Sequence, residues 1–438
     1  MKKLVKTNWL ELLEILIVLF DIFFHIIPVI PLVIVCIVVS LCSLDVIGAY
    51  VVSVIALPTL LGSTLYLLNI TGVASFVELL FFLICLYRWK YKKIYQIKNV
   101  NNGIQSLLFV LFLLSLSALF SNGGNYAFTK VQETWLNGLF SFFAFSLLLS
   151  NPQKCNYIKV GLCLILYSYL LLLLSPLLNK GTGPDNLLDF GYLRAQNLFA
   201  LEDEKYVIDY QHVGFFATIG CGVVLLRTLW ENINFKFVFF CVLLCTTASL
   251  YSGARQFIII SIVIMGIKLC LQHKNSLGLV NIAVGIIAIF LFVQFLIGDG
   301  GALYSVKTEG YLAASNRDLV TYKGLADFVS NPVFGIGYGR FVFGGRFGLY
   351  PHNLIVEILC ELGIVGFTII VYKSYIPAIR IFKHYKPCLY LFMILLLRAM
   401  VSGGIDSNIM FFSFIFSTSC LMNLVNIKFD KELNSKIA

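Results

Sequence analysis

Long apolar runs repeat along the whole chain and leave little choice of fold. Runs of about 15 to 25 apolar residues alternate with short polar breaks, which is the length that a helix needs to cross a bilayer. The 438 residues are 59% hydrophobic and 12% charged, with a mean hydropathy of +0.91, and this composition excludes a soluble globular protein. Lipid offers the backbone no hydrogen-bond partners, so helices must satisfy it. We therefore predict an all-α, polytopic transmembrane helical bundle that forms a single domain over residues 1–438.

The apolar runs predict about fourteen transmembrane spans. The second predicted span is short and contains two prolines, Pro28 and Pro31, so twelve spans are the alternative. The predicted spans cover residues 8–27, 28–44, 46–69, 71–88, 104–121, 135–150, 157–177, 211–228, 236–252, 256–272, 278–297, 352–372, 387–402 and 407–426.

Basic residues are distributed unevenly among the predicted connections. Most of the 32 lysines and arginines fall on the side that carries both termini. Because basic connections stay in the cytoplasm, we predict that both termini are cytoplasmic. The net charge of +10 then reflects topology, and we expect no nucleic-acid partner. The outer connections 179–210 and 298–351 are much longer than the others and form the predicted working surface.

The second long connection contains two distinct parts. Apolar residues in Asp318–Ser330 recur at a spacing that predicts an amphipathic helix on the membrane surface. The segment Gly335–Gly348 is rich in glycine, which indicates tight turns or a backbone nest for an anion. A nucleotide-binding fingerprint is not expected here, because no strand precedes the glycines.

Polar residues repeat every four positions at the start of a late apolar run. Asn353, Glu357 and Glu361 therefore share one face of a helix, which we expect to face the bundle interior. Charged groups in hydrocarbon are functional candidates by default, although a structural ion pair, for instance between Glu361 and Arg398, is the simpler alternative. In the same run, Gly363 and Gly366 are expected to let a neighbouring helix approach closely.

His352 immediately precedes this polar face. Pro351 suits the first turn of a helix, which would place His352 at the positive end of the helix dipole. A neutral imidazole in that field can accept a proton from a hydroxyl group. The sequence thus predicts a general base, with an interfacial helix-capping histidine as the alternative.

Arginines form a second group on the predicted outer side. Arg255 follows a very short turn between two spans, and Arg317 opens the surface helix. A planar guanidinium at headgroup level can bind a phosphate or diphosphate through two hydrogen bonds, or it can simply anchor the protein to lipid phosphates. Arg194, Arg340, Arg346 and His212 are further candidates for substrate binding. No cysteine or histidine spacing suggests zinc, so we predict neither a metal nor a cofactor.

These motifs resemble those of the bacterial O-antigen ligase and O-antigen polymerase superfamily. His352-Asn353, followed by nine residues, Gly363 and Gly366, is similar to the signature of these polytopic glycosyltransferases. Further similarities occur in the same order along residues 250–370. They comprise Ser252-Gly253-Ala254-Arg255, Ser315-Asn316-Arg317 and Asn331-Pro332-Val333-Phe334-Gly335-Ile336-Gly337, with weaker ones at Arg194 and Gln211-His212-Val213-Gly214.

The resemblance implies a GT-C-like fold and an inverting, metal-independent glycosyltransferase in the bacterial inner membrane. The donor would be an oligosaccharide on undecaprenyl diphosphate, bound at the periplasmic face. His352 would be the catalytic base, Arg255 and Arg317 would bind the diphosphate, and Asn353, Glu357, Glu361 and Arg398 would support the site. Membrane lipids, a chain-length regulator and a flippase of the same pathway are the expected partners.

Four functions fit the sequence to different degrees. A repeat-unit polymerase is favoured because the outer loops are modest and the similarity outside the central motifs is poor. A ligase, which transfers the glycan to lipid A core, needs the same donor site. A teichoic-acid or capsule polymerase would have the same features. A lipid-linked oligosaccharide flippase is the remote alternative, because it predicts paired halves with discontinuous helices, which the sequence does not indicate.

Overall fold

A computed structural model describes residues 13, 17, 41–66, 73–95, 97, 100–121, 123–178, 210–272, 317–345 and 350–421. Every regular element in these ranges is helical, and no β-strand occurs within them. The α-helices, numbered in chain order, are α1 Val46–Tyr66, α2 Val73–Lys90, α3 Val100–Leu119, α4 Gly124–Ser150, α5 Tyr157–Leu178, α6 Tyr210–Leu226, α7 Phe235–Ser252, α8 Arg255–Gln272, α9 Arg317–Ser330, α10 Leu354–Lys383, α11 Cys388–Val401 and α12 Ile405–Ser417.

The helices have the length and composition of membrane spans. Five of them in the described part of the chain are long and apolar enough to cross a bilayer, namely α3, α5, α6 with its 3-10 extension, α7 and α10. Shorter apolar helices lie at Val46–Ala56, Gln256–Gly266, Cys388–Val401 and Ile405–Leu421. The chain is thus a helical membrane protein. Predicted spans 8–27, 28–44 and 278–297 lie almost wholly outside the described residues, so the total of fourteen stays a prediction.

Contacts between residues group the chain into two compact units. The first unit comprises Met1–Phe81 and Cys155–Ala314. Its centre is the pair α5 and α6, whose backbones approach closely at two glycines. A Cβ atom added to Gly161 would lie 2.5 Å from the Gly220 carbonyl oxygen, and a Cβ atom added to Gly220 would lie 2.6 Å from the Gly161 carbonyl oxygen. Small residues thus allow the close helix contact that packing within a membrane favours.

The second unit comprises Phe82–Lys154 and Ser315–Ala438. Helix α4 packs along α12, where the Ser413 hydroxyl donates to the Gly138 carbonyl oxygen at 2.8 Å. Helix α9 packs on α10 through Val320, which shares a small core with Phe341 and Cys360. The helix predicted over Asp318–Ser330 is thus confirmed, since α9 begins at Arg317 and ends at Ser330. Its outward face exposes several apolar residues, among them Leu319, Tyr322 and Val329.

Helix α4 differs from the predicted span over residues 135–150. It begins at Gly124, so the segment that was expected to be an outer connection is helical. Buried residues recur along it at a helical spacing and form one face, which includes Ala127, Lys130, Thr134, Gly138 and Ser141. Consequently Lys130, predicted to lie in a solvent-facing connection, is only 5% exposed.

Helix α10 differs from the predicted span 352–372 in being longer and interrupted. It begins at Leu354, ends at Lys383 and is broken at Gly363, which has φ 66° and ψ −171°. Gly363 does allow a close approach, but the prediction that a neighbouring helix makes this approach was wrong. A Cβ atom at Gly363 would lie 2.3 Å from the Val333 carbonyl oxygen, so the approaching segment is the loop that precedes α10.

Candidate active site

The loop Asn331–Gly339 fills the break in α10. The amides of Ile336 and Gly337 donate to the carbonyl oxygens of Cys360 and Glu361 at 2.9 and 3.0 Å. On the other side of the break, Ile364 and Val365 donate to the carbonyl oxygens of Pro332 and Val333 at 2.8 and 3.2 Å. The backbone groups exposed by the break are therefore paired inside the protein, as membrane depth requires. Gly335, Gly337 and Gly339 have φ values of 71°, 99° and 75°, which confirms the predicted tight turns.

His352 lies immediately before α10, two residues ahead of its first helical residue. Asn353 is the N-cap, and its side-chain oxygen accepts hydrogen bonds from the amides of Ile355 and Val356 at 3.0 and 3.2 Å. The prediction that Pro351 occupies the first helical turn was therefore wrong. Asn353 caps the first turn instead, and His352 remains next to the positive end of the helix.

The backbone of His352 adopts a left-handed conformation. Its φ is 55°, and Lys93 is the only other non-glycine residue with a positive φ among the described residues. This conformation costs of the order of 1 to 3 kcal/mol and persists only where the surroundings enforce it. The Tyr350 ring lies edge-on to the imidazole, with 4.5 Å between ring centroids. His352 is thus held in a specific, strained position rather than in a relaxed cap.

Helix α9 anchors the segment that carries His352. The Thr321 hydroxyl donates to the Pro351 carbonyl oxygen at 2.7 Å. Gly324 brings α9 close enough that an added Cβ atom would lie 2.9 Å from the Pro351 ring. Arg317 begins the same helix four residues before Thr321, about 6 Å along its axis. Two of the predicted site residues, Arg317 and His352, therefore belong to segments that are in direct contact.

A buried cluster of charges lies one and two turns into α10. Lys130 Nζ of α4 contacts Glu357 Oε1 at 2.8 Å and the two carboxylate oxygens of Glu361 at 3.0 and 2.9 Å. Both glutamates are completely buried. The prediction that they face the bundle interior is confirmed, whereas the ion-pair partner of Glu361 is Lys130 and not Arg398. The Arg398 guanidinium lies 3.5 Å from the Ser407 carbonyl oxygen.

The loop before α10 closes over this charge cluster. Lys130 Nζ lies 4.6 Å from the centroid of the Tyr338 ring, a cation–π contact. The hydroxyls of Tyr338 and Thr134 are 2.6 Å apart, and the Gly339 amide donates to Glu361 Oε1 at 3.2 Å. Burial raises the pKa of Tyr338 well above its ordinary value, so this hydroxyl keeps its proton at neutral pH.

Lys130 was not among the residues predicted from the sequence, although the sequence contains a signal for it. Two buried glutamates four residues apart in an apolar helix call for a cationic partner. The partner named from the sequence, Arg398, lay in a predicted span. Lys130 belongs to a stripe of small and polar residues with helical spacing in α4. That stripe would have predicted a buried helical face for residues 127–141.

A cavity adjoins the other side of the same loop. It has a volume of about 530 Å³ and lies between α3, the loop and the broken part of α10. Its wall is mostly apolar and contains two polar side chains, Ser117 and the exposed Arg340. This volume and this mixture of apolar wall and few polar groups are typical of sites for small or amphipathic ligands.

The remaining predicted site residues are placed as follows. In the first unit, Arg255 begins α8 after the two-residue turn Gly253-Ala254, in which Gly253 has φ 79°, so the predicted short turn is confirmed. His212 lies in the first turn of α6, half-buried against Phe216. Arg194 and Arg346 lie outside the described residues.

The fold and this site define a class of protein: a helical membrane protein with a buried charge cluster behind a strained histidine. No protein-family model matches the sequence, and no curated protein matches it.

Proposed function

We propose that this protein is a repeat-unit polymerase of the O-antigen or polysaccharide type. It would transfer a glycan from an undecaprenyl diphosphate carrier to a carrier-linked repeat unit, with inversion at the anomeric carbon. The reaction would occur at the periplasmic face of the bacterial inner membrane, with both termini in the cytoplasm. A chain-length regulator and a flippase would act with it.

The strained backbone of His352 is the observation that carries the proposal. A histidine that only caps a helix needs no left-handed conformation, and here Asn353 already provides the cap. Strain of this kind concentrates at functional sites, where surrounding contacts maintain it. The Thr321 bond to Pro351 and the Tyr350 ring supply such contacts.

His352 would act as the general base of a single displacement. The acceptor hydroxyl oxygen attacks the anomeric carbon from the face opposite the diphosphate, and its proton passes to the imidazole. The bond between the anomeric carbon and the diphosphate oxygen breaks, and the electron pair leaves with the diphosphate. Proton acceptance by a well-placed base contributes about 10²- to 10⁴-fold to the rate of such reactions.

Arginines would bind the departing diphosphate. Arg317 begins the helix that anchors the His352 segment, which supports a role close to the histidine. Arg255 begins α8 at a short, rigid turn, which suits a fixed position at headgroup level. The apolar cavity bordered by Arg340 supports an amphipathic donor, since it offers an apolar wall next to one cation.

One observation bears on the flippase alternative. Discontinuous helices with buried charges are characteristic of transporters, and α10 is discontinuous at Gly363. In transporters, however, the backbone groups freed at such breaks bind the substrate. Here Pro332, Val333, Ile336 and Gly337 already pair with them, which favours a structural break over a transport site.

The product formed from the lipid-linked donor distinguishes a polymerase, a ligase and a flippase. Purified protein in vesicles would receive a lipid diphosphate-linked repeat unit alone, and in parallel the same donor with lipid A core. We expect lipid-linked chains of several repeats in both reactions. Product only on lipid A core would establish the ligase instead, and donor translocation without a new glycosidic bond would establish the flippase.

A further inference from the structure

We infer that Lys130 is a positioning residue that fixes His352 and Arg340 relative to each other through Glu357 and Glu361. The expected loss of turnover rests on the proposed function, whereas the positioning of His352 can be tested without an activity assay. Three elements meet at the Lys130 ammonium group, namely α4, α10 and the Asn331–Gly339 loop.

The first connection runs from Lys130 to His352. The ammonium group holds Glu357 in the first turn of α10, at 2.8 Å. The Glu357 amide donates to the Asn353 carbonyl oxygen at 2.9 Å, and Asn353 is the N-cap that follows His352 directly. Helix α4 therefore holds the first turn of α10, and with it Asn353, the residue that directly follows His352.

The second connection runs from Lys130 to Arg340. The same ammonium group binds both oxygens of Glu361, and Glu361 Oε1 accepts the Gly339 amide at 3.2 Å. The Tyr338 ring covers the ammonium group, and its hydroxyl contacts Thr134 of α4. The two residues before Arg340 are thus fixed to α4 by the same cluster that fixes the start of α10.

The composition of the cluster argues against a purely stabilising role. One ammonium faces two fully buried carboxylates, and Glu357 Oε2 has no hydrogen-bond partner among the residues that the structure describes. Desolvation of buried ions often cancels their attraction, and well-packed apolar residues commonly stabilise a protein more. A cluster with an unsatisfied oxygen is therefore better explained by the geometry that it enforces than by the stability that it adds.

The test uses a variant in which the charges are removed together. Lys130→Met alone would leave two uncompensated carboxylates and would be expected to misfold. The combined variant Lys130→Met, Glu357→Gln, Glu361→Gln keeps side-chain volume and removes all three charges. Lys373→Met, which alters a lysine of α10 outside the cluster, is the matched control.

The first readout is independent of enzymatic activity. Diethyl pyrocarbonate modifies histidine, and mass spectrometry of the modified full-length protein gives the rate at His352. Loss of the positioning contacts would expose the half-buried imidazole more often, so we expect modification of His352 to become about fivefold faster in the triple variant and to be unchanged in Lys373→Met. We also expect kcat to fall about tenfold while the variant keeps the melting temperature of the parent.

Glu357→Gln provides a second variant with a lower risk of misfolding, because it leaves a one-to-one pair of Lys130 and Glu361. A smaller change in the same direction is expected, about twofold, since the ion pair with Lys130 is replaced by a hydrogen bond from the ammonium group to a neutral amide oxygen. An unchanged modification rate at His352 in both variants would overturn the inference. If the parent protein transfers no glycan, the proposed function fails, while the modification rates still decide the role of Lys130.

Discussion

At the scale of single residues, His352 combines a strained backbone with a fixed surrounding. Its φ of 55° is unfavourable for any residue that carries a Cβ atom. The neighbouring Asn353 supplies the helix cap, so the conformation is not needed to end or begin α10. The backbone strain and the proposed proton transfer thus belong to the same residue. Different substitutions at position 352 can test them separately.

Glycine and alanine at position 352 should differ in stability. Both remove the imidazole, but only glycine adopts a left-handed backbone without steric cost. We expect His352→Gly to be more stable than His352→Ala by about 1 kcal/mol, measured as thermal unfolding in detergent. At Lys323, an exposed position inside α9, the order should reverse because alanine favours a helix. Equal stability of the two variants at position 352 would contradict the strained conformation.

The two diphosphate-binding candidates can be tested by a change that keeps their charge. Arg255→Lys and Arg317→Lys retain a cation but lose the planar fork of donors. We expect each to lower kcat/KM by about tenfold to a hundredfold in the glycan-transfer assay. Arg227→Lys is the control, because that half-buried arginine already pairs with the exposed Glu231. Near-parental activity in both lysine variants would argue against bidentate binding of a diphosphate.

At the scale of elements, the break in α10 organises the site. It admits the Asn331–Gly339 loop, whose amides and carbonyls replace the missing helical hydrogen bonds. The same loop contributes the Tyr338 ring and the Gly339 amide to the charge cluster. A continuous α10 would exclude this loop and leave Lys130 without its cover.

Alanine at position 363 should therefore destabilise the second unit strongly. Its Cβ atom would lie 2.3 Å from the Val333 carbonyl oxygen, and its φ of 66° would be strained as well. We expect Gly363→Ala to cost about 3 kcal/mol or more, measured by thermal or denaturant unfolding. Gly266→Ala in α8 meets no atom within 4 Å and should stabilise the protein by up to about 1 kcal/mol. A Gly363→Ala protein as stable as the parent would contradict the role of the break.

The sequence predicted individual helices well and their interruptions poorly. Apolar periodicity located α7 and α8 to within a few residues, and the four-residue spacing of Glu357 and Glu361 correctly predicted that both are buried. Local pattern cannot predict a partner that is distant in sequence, so Lys130 was missed. The polar start of α4 was read as a connection because its buried face consists of small and polar side chains. The same limit explains why the loop contact at Gly363 was not foreseen.

At the scale of the whole molecule, the predicted site residues are divided between the two compact units. His352, Arg317 and the charge cluster belong to the second unit, and Arg255 and His212 belong to the first. The proposed reaction requires that the segments carrying these residues face the periplasm, which can be tested directly.

Labelling of introduced cysteines tests the predicted topology. Lys323→Cys on α9 should face outward, and Lys92→Cys after α2 should face the cytoplasm. In a background without the exposed Cys42, a membrane-impermeant maleimide should label Lys323→Cys in intact bacterial cells. Labelling of Lys92→Cys should require permeabilised cells. The opposite pattern would place the site in the cytoplasm and contradict the proposed donor geometry.

The most direct test of the central claim is the length of the lipid-linked glycan made by purified protein with and without His352. The parent protein, given only a lipid diphosphate-linked repeat unit, should produce a ladder of chains in gel electrophoresis. His352→Gly, which should retain the parent fold, should produce none. A ladder of parental length from the folded His352→Gly protein would contradict the assignment of His352 as the general base.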